Sequence, residues 1–301
     1  MDKVPLMITK LRLVFAITIA FLSFYGSAQN DYWQQKISEN TLDKNFSENY
    51  AVDSGKQFSF DDQLFKKQLQ KVSAEKENTA VLYFPNRNGE LKAFQVFETP
   101  VLSADLSSKF PQIKSYSGYA VEDKSIRIRF SVSHKGMQSM IVHADEQGST
   151  FMQKDSDNNY VHYTRDPNSK LNSDFICTTK STIRKNLDGL TQKVVNDQAL
   201  RKFRLAVSAS GEYTAFHGGT VADALAAINA SVTRITEVYE TDLAITFELI
   251  ADTDKVIFTD ANTDPYNGGS SRAVQNTLTD SIGEPNYDLG ILFHRIETGG
   301  D

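Results

Sequence analysis

From Ala80 onward, apolar and polar residues alternate with a period of two through much of the first half of the chain. Val81 and Tyr83, then Ala93, Gln95 and Phe97, flank the turn sequence Asn86-Arg87-Asn88-Gly89, a pattern that predicts a β-hairpin. Ser125–Ser133 (SIRIRFSVS) puts Ile126, Ile128, Phe130 and Val132 on one face of a strand. Met137–His143 and Thr150–Gln153 continue the pattern after the Lys135-Gly136 and Gln147-Gly148 turns, and Tyr160–Tyr163 adds a short strand. An antiparallel sheet or small sandwich fits this stretch. The preceding residues, Gln29–Thr79, are polar with a few aromatics, and predict short, weakly packed helices such as Asp61–Val72.

The texture changes twice more. Residues 166–201 hold Pro167, many Asn, Ser, Thr and Lys, and few apolar positions, the composition of an exposed linker. Arg184, Lys185, Arg201 and Lys202 would be accessible there to a processing protease, although a plain soluble connector has the same composition. Beyond it Phe203–Ala209 predicts a strand, and Thr220 caps a helix with Asp223 at the capping-box position. Val221, Leu225, Ile228, Val232, Ile235 and Tyr239 step by four and three, which makes one apolar stripe along that helix. Leu243, Ile245, Phe247 and Leu249 return to period two, and Val256–Phe258 predicts another short strand. Arg272–Ile282 predicts a shorter helix, and Tyr287–His294 a near-continuous apolar strand of a covered sheet. The order β-α-β-β-α-β places residues 202–301 in the α/β class.

The N-terminus carries an address. Lys3, Lys10 and Arg12 precede an uncharged, mostly apolar run from Leu13 to Tyr25, followed by Gly26, Ser27 and Ala28. This is the layout of a secretory signal peptide over residues 1–28, and the run is shorter than the ~20 apolar residues a membrane-spanning helix needs. The expected product is exported, with no membrane span after cleavage. Its loss takes the formal charge from −6 to −8, because one acidic and three basic side chains leave. Such a surface argues against a nucleic-acid partner, since phosphate binding needs clustered cations. A single cysteine excludes an internal disulfide framework.

Candidate chemistry is sparse. The five histidines, His134, His143, His162, His217 and His294, are isolated from one another, and no His-Glu-x-x-His places two imidazoles on one helical face. There is no Gly-x-Ser-x-Gly elbow, so His217-Gly218-Gly219-Thr220 is more simply a glycine-rich turn before a helix than an oxyanion loop. Asp264-Pro265-Tyr266-Asn267-Gly268-Gly269 offers oxygen ligands of the kind calcium takes, but lacks the alternating acids of an EF-hand and is more simply a surface turn.

Several segments nevertheless resemble one family. RKFRLAVSASGEYTAFHGG, the helix TVADALAAINASVTRITEVYE, the strand LAITFELI, the loop NTDPYNGG and YDLGILFHRIETGGD are similar to the first half of a reprolysin-like metzincin domain. Upstream, PQIKSYSGYAVEDKSIRIRFSVSHKGMQSMIV resembles the propeptide region of the same bacterial secreted proteases. The resemblance implies a β-rich propeptide domain over residues 29–165, the linker over 166–201, and the N-terminal half of a zinc metallopeptidase domain over 202–301. It implies zinc as cofactor and polypeptide as substrate. The metzincin zinc motif, His-Glu-x-x-His-x-x-Gly-x-x-His, follows the resembling segment in that family, so its histidines and catalytic Glu are expected beyond Asp301, and the chain alone is expected to be inactive.

By the same resemblance Cys177 is a candidate latency switch, a propeptide thiolate that occupies the open zinc position. Its surroundings, Phe175-Ile176-Cys177-Thr178-Thr179, lack the Pro and Gly neighbours usual for such a switch. A disulfide partner beyond Asp301 and a buried thiol remain alternatives. His294 is read as packing rather than ligating. An alternative for the whole chain is a non-catalytic secreted binding module on a metzincin-like scaffold.

Overall fold

A computed structural model describes residues 32–36, 42–50, 52, 54–73, 78–143, 148–164, 198–266 and 271–295. The leader at 1–28 and the positions Cys177, Arg184 and Lys185 lie outside the described residues.

The first unit is built on nine strands: β1 (Trp33–Gln35), β2 (Lys56–Phe60), β3 (Ala80–Pro85), β4 (Leu91–Glu98), β5 (Lys114–Ala120), β6 (Arg127–Ser133), β7 (Gly136–Val142), β8 (Thr150–Lys154) and β9 (Tyr160–Thr164). They form one antiparallel sheet in the order β1-β2-β9-β8-β7-β6-β5-β4-β3. Rather than a sandwich, the sheet is a nearly closed barrel. At the gap, the Tyr83 N–H of β3 donates to the Tyr32 hydroxyl at 2.8 Å, and Trp33 Nε1 donates to the Tyr83 carbonyl at 2.8 Å. Two aromatic side chains thus stand in for a missing ladder and cover an edge that would otherwise be open to pairing.

Helices α1 (Lys44–Tyr50) and α2 (Asp62–Leu69) pack on the barrel, and α3 (Ala104–Lys109) lies in the excursion between β4 and β5. Asp61 caps α2 by accepting from the Leu64 N–H at 2.9 Å. Far from packing weakly, α2 sends Phe65 and Leu69 into the barrel core beside Phe84 and Phe130. The polar stretch ahead of β3 also yields β1 and β2, strands too short for their alternation to stand out. In the β3–β4 hairpin the core face is Leu82, Phe84, Phe94 and Val96. The alternating set Val81, Tyr83, Ala93, Gln95 and Phe97 lies on the opposite face of the expected hairpin. For β6 the inward set of Ile128, Phe130 and Val132 is as expected.

The second unit holds a parallel sheet of β10 (Arg201–Ala209), β11 (Ile245–Leu249) and β12 (Leu289–Phe293), in the order β11-β10-β12. Its helices are α4 (Gly211–His217), α5 (Val221–Leu243) and α6 (Ser271–Ser281). Thr220 caps α5, accepting from the Asp223 N–H at 3.1 Å and donating its hydroxyl to the Asp223 carboxylate at 2.7 Å. The strand expected at Val256–Phe258 is instead the end of a 3-10 turn at Thr253–Val256, with one parallel bridge from Ile257 to Ala209. Arg201 and Lys202 sit inside β10, where Lys202 Nζ meets Glu248 at 2.8 Å.

Helix α5 has two buried faces. Leu225, Ile228 and Val232 join the apolar cluster on the parallel sheet. A second, small and polar face of Asn229, Thr233 and Glu237 lies against β5, β6 and β7 of the barrel. Ile235 and Tyr239, at the end of the expected stripe, are exposed, although the Tyr239 ring still meets Phe247 of β11 edge-on at 5.0 Å.

Candidate functional site

In a parallel sheet all strands deliver their C-terminal ends to one side, where loops gather functional groups. Here that side brings together Ser210 after β10, Glu212 in α4 and His294 after β12. Ser210 is buried at the α4 N-cap, where its Oγ accepts from the Tyr213 N–H at 3.3 Å. His294 Nδ1 lies 2.9 Å from Ser210 Oγ and 3.7 Å from a Glu212 carboxylate oxygen. Serine, histidine and an acid are therefore in contact, but not as a nucleophilic triad. A triad uses one ring nitrogen for the hydroxyl and the other for the acid. Both partners face Nδ1 here, so the cluster fixes the imidazole and ties the end of β12 to the start of α4. Ring stacking adds to this: Tyr213 meets Phe293 edge-on at 5.4 Å, and Arg295 lies 3.4 Å over the Phe216 ring.

The loop from Asp260 to Tyr266 borders the same end. Asp264 accepts from the Gly211 N–H at 2.7 Å through one oxygen and from the Tyr266 N–H at 2.8 Å through the other. Tyr266 in turn donates to Ser208 Oγ at 2.6 Å, which donates to the Val256 carbonyl at 2.6 Å. Both oxygens of Asp264 are thereby engaged in fastening backbone, and Asn267, Gly268 and Gly269 lie outside the described residues.

The remaining histidines are dispersed. His134 Nε2 is 2.8 Å from Asp223 at the start of α5, and His217 rests on Tyr213. Burial works to raise the pKa of Asp223, yet hydrogen bonds from Thr220 and His134 and the charge of Lys135 hold it below the usual carboxylate range. His162 is buried in β9 with its Nε2 unpartnered, and burial, followed by the charges of His143, Lys56 and Arg87, pushes its pKa down to about 4. Among the described residues no group of three or more His, Cys, Asp or Glu could hold a metal ion. These residues therefore do not fit a zinc centre, which takes three or four such ligands. Cys177 lies outside the described residues.

One comparison with known families falls on the region that carries β10, α4, α5, β11, α6 and β12. Residues 199–301 match the family model described as metallo-peptidase family M12B, reprolysin-like. The match covers about a third of the chain and likens that region to metallopeptidases, a family that acts on polypeptides. No curated protein matches the chain. Peptidases of this reprolysin-like family are generally zinc-dependent. No helix among the described residues is long and apolar enough to cross a membrane.

Two features of the reprolysin-like region escaped sequence reasoning. The Ser210–Glu212–His294 contact joins residues 84 positions apart, and neither Ser210 nor Glu212 carries a motif. The polar face of α5 had a signal that could have been followed: Ala226, Asn229, Ala230, Thr233 and Glu237 recur at three- and four-residue steps beside the apolar stripe.

Proposed function

We propose that the chain is the N-terminal part of a secreted, zinc-dependent metalloendopeptidase precursor of bacterial reprolysin-like type, inactive by itself. Residues 1–28 are its export signal, 29–165 a propeptide, 166–201 the segment a processing protease cuts, and 202–301 the first half of the catalytic domain. The observation that carries this reading is the match of residues 199–301 to the reprolysin-like family over a parallel β-α-β unit, β10-α5-β11, flanked by β12. The ligands that would hold the zinc, and the Glu that would act as general base, belong to residues beyond Asp301. The chain's own groups provide the scaffold: β10 and β12 form the sheet, and the Ser210–His294 contact sets where the chain leaves β12. Cys177 holds the precursor latent as a zinc ligand.

The test is to read the coding frame beyond Asp301 and express the longer product. A His-Glu-x-x-His-x-x-Gly-x-x-His within several dozen codons, and casein hydrolysis abolished by 1,10-phenanthroline, are expected. Absence of the motif, or hydrolysis insensitive to the chelator, overturns the reading. Cys177→Ser should raise activity before processing, and unchanged latency would reject the switch.

A further inference from the structure

The barrel has a core of its own, but one apolar cluster is shared by the two units. Between β4 and β5 the chain leaves the barrel, and Val101, Leu102, Leu106 and Ile113 enter the same apolar cluster as Leu205, Val207, Leu225, Ile228 and Leu249 of the second unit. All four are buried, Leu106 completely. The same excursion occupies the outer edge of β11: the Leu249 N–H donates to the Val101 carbonyl at 2.8 Å, and the Ser103 N–H donates to the Leu249 carbonyl at 2.9 Å. Leu102 and Leu249 form a parallel bridge there. Helix α3 then clamps the following turn, with Lys109 Nζ 3.0 Å from the Ala251 carbonyl and 2.9 Å from Asp254.

A second contact lies along α5. Ser115 Oγ is 2.9 Å from both Asn229 Oδ1 and Thr233 Oγ1, Arg234 donates to Gln138 at 2.9 Å, and Arg129 reaches Glu237 and Glu240. Departure of the barrel would bare apolar core residues, an unpaired strand edge and carboxylates that have lost their cations. Each of these is unfavourable in water or in an incompletely covered interior.

We infer that the N-terminal barrel is a permanent structural partner of the C-terminal unit: when the chain between residues 165 and 200 is cut, the two pieces remain one non-covalent complex. The Val101–Ile113 excursion holds the complex, and the α5 seam fixes its orientation. This goes beyond the peptidase reading and does not require it, because the outcome is read on assembly and not on activity.

The experiment places a site for a sequence-specific protease between residues 170 and 190 of the full chain. Complete cutting is verified on a denaturing gel, and the product is passed over a size-exclusion column at neutral pH in 0.15 M and 1 M NaCl. Co-elution of both pieces at the position of the uncut chain is expected in both salts. Separate elution, or precipitation of the C-terminal piece with the barrel left in solution, overturns the inference. In the same cut background Leu106→Ala, which empties part of the shared core, should raise the dissociation constant of the pieces at least about tenfold. An unchanged dissociation constant would remove the Val101–Ile113 excursion from its role.

Discussion

Arg129 of β6 and Glu237 of α5 face each other across the seam between the two units, with Nε 2.7 Å from the carboxylate and both side chains almost wholly buried, at 5% and 6% exposure. Arg127 shares the same carboxylate, and Arg129 also reaches Glu240. An ion pair removed from water on both sides is costly to break by halves, because the surviving charge keeps its desolvation penalty and loses its partner. Arg129→Ala is therefore expected to destabilise the chain by about 3–5 kcal/mol in urea unfolding, whereas Arg129→Met combined with Glu237→Met should be much milder. Additive single-variant effects, with no coupling between the two positions, would show that the pair does not act as a unit.

His162 makes stability depend on pH with a definite sign. Its folded pKa, about 4, lies below the ordinary histidine value of 6.5, because burial disfavours the imidazolium. Between these values the unfolded chain takes up a proton that the folded chain refuses. The contribution is complete above pH 6.5, and is lost as pH falls toward 4, by up to about 3 kcal/mol. His162→Gln should flatten the stability profile in that window, measured by urea unfolding at pH 7, 6, 5 and 4.5. A profile of unchanged slope would locate the acid sensitivity elsewhere.

How much of this was legible depends on what kind of contact each residue makes. The β6 strand was readable because Ile128, Phe130 and Val132 all face one core, and α5 was readable because Thr220 caps it and Leu225, Ile228 and Val232 line one side. The seam was not, because the barrel residues that bond to α5 are Ser115, Arg127, Arg129 and Gln138, types that ordinarily face water. Ser115, with almost no side-chain bulk, lets α5 approach the sheet, and only the partner element reveals that it is covered. The same blindness affected the Val101–Ile113 excursion, whose few apolar residues complete the core of a different unit. Among candidate site residues, His294 was expected to pack, and the fold puts it against Ser210 and Glu212, contacts no local spacing could announce.

Gly211 follows β10 where the chain turns into α4. A Cβ at this position would overlap the backbone of Asp260 and Ala261. Backbone atoms cannot swing aside as a flexible side-chain end can, so the loop from Asp260 to Tyr266 would have to shift. Gly211→Ala is expected to cost about 1–3 kcal/mol or more, and to weaken the Gly211-to-Asp264 hydrogen bond that depends on this approach. Thermal unfolding measures the loss, and amide exchange at Gly211 and Tyr266 tests whether the loop has moved. A variant with wild-type stability and wild-type exchange would contradict the close approach.

Asp264 stands in a glycine-rich loop whose oxygens suggest a calcium site, but its hydrogen bonds give it a different role. One carboxylate oxygen accepts from Gly211 and the other from Tyr266, and the side chain is buried. Each bond to a charged acceptor contributes more than a neutral one, roughly 1.5–3 kcal/mol. Asp264→Asn keeps one acceptor and turns an amide donor toward one of the two backbone N–H groups, leaving that N–H unpaired. The expected result is a loss of about 2–3 kcal/mol, the same in 5 mM calcium chloride as in 5 mM EDTA. If calcium raised the melting temperature of the wild-type chain and Asp264→Asn abolished that rise, the carboxylate would be a cation ligand and the backbone-fastening role assigned to it would fail.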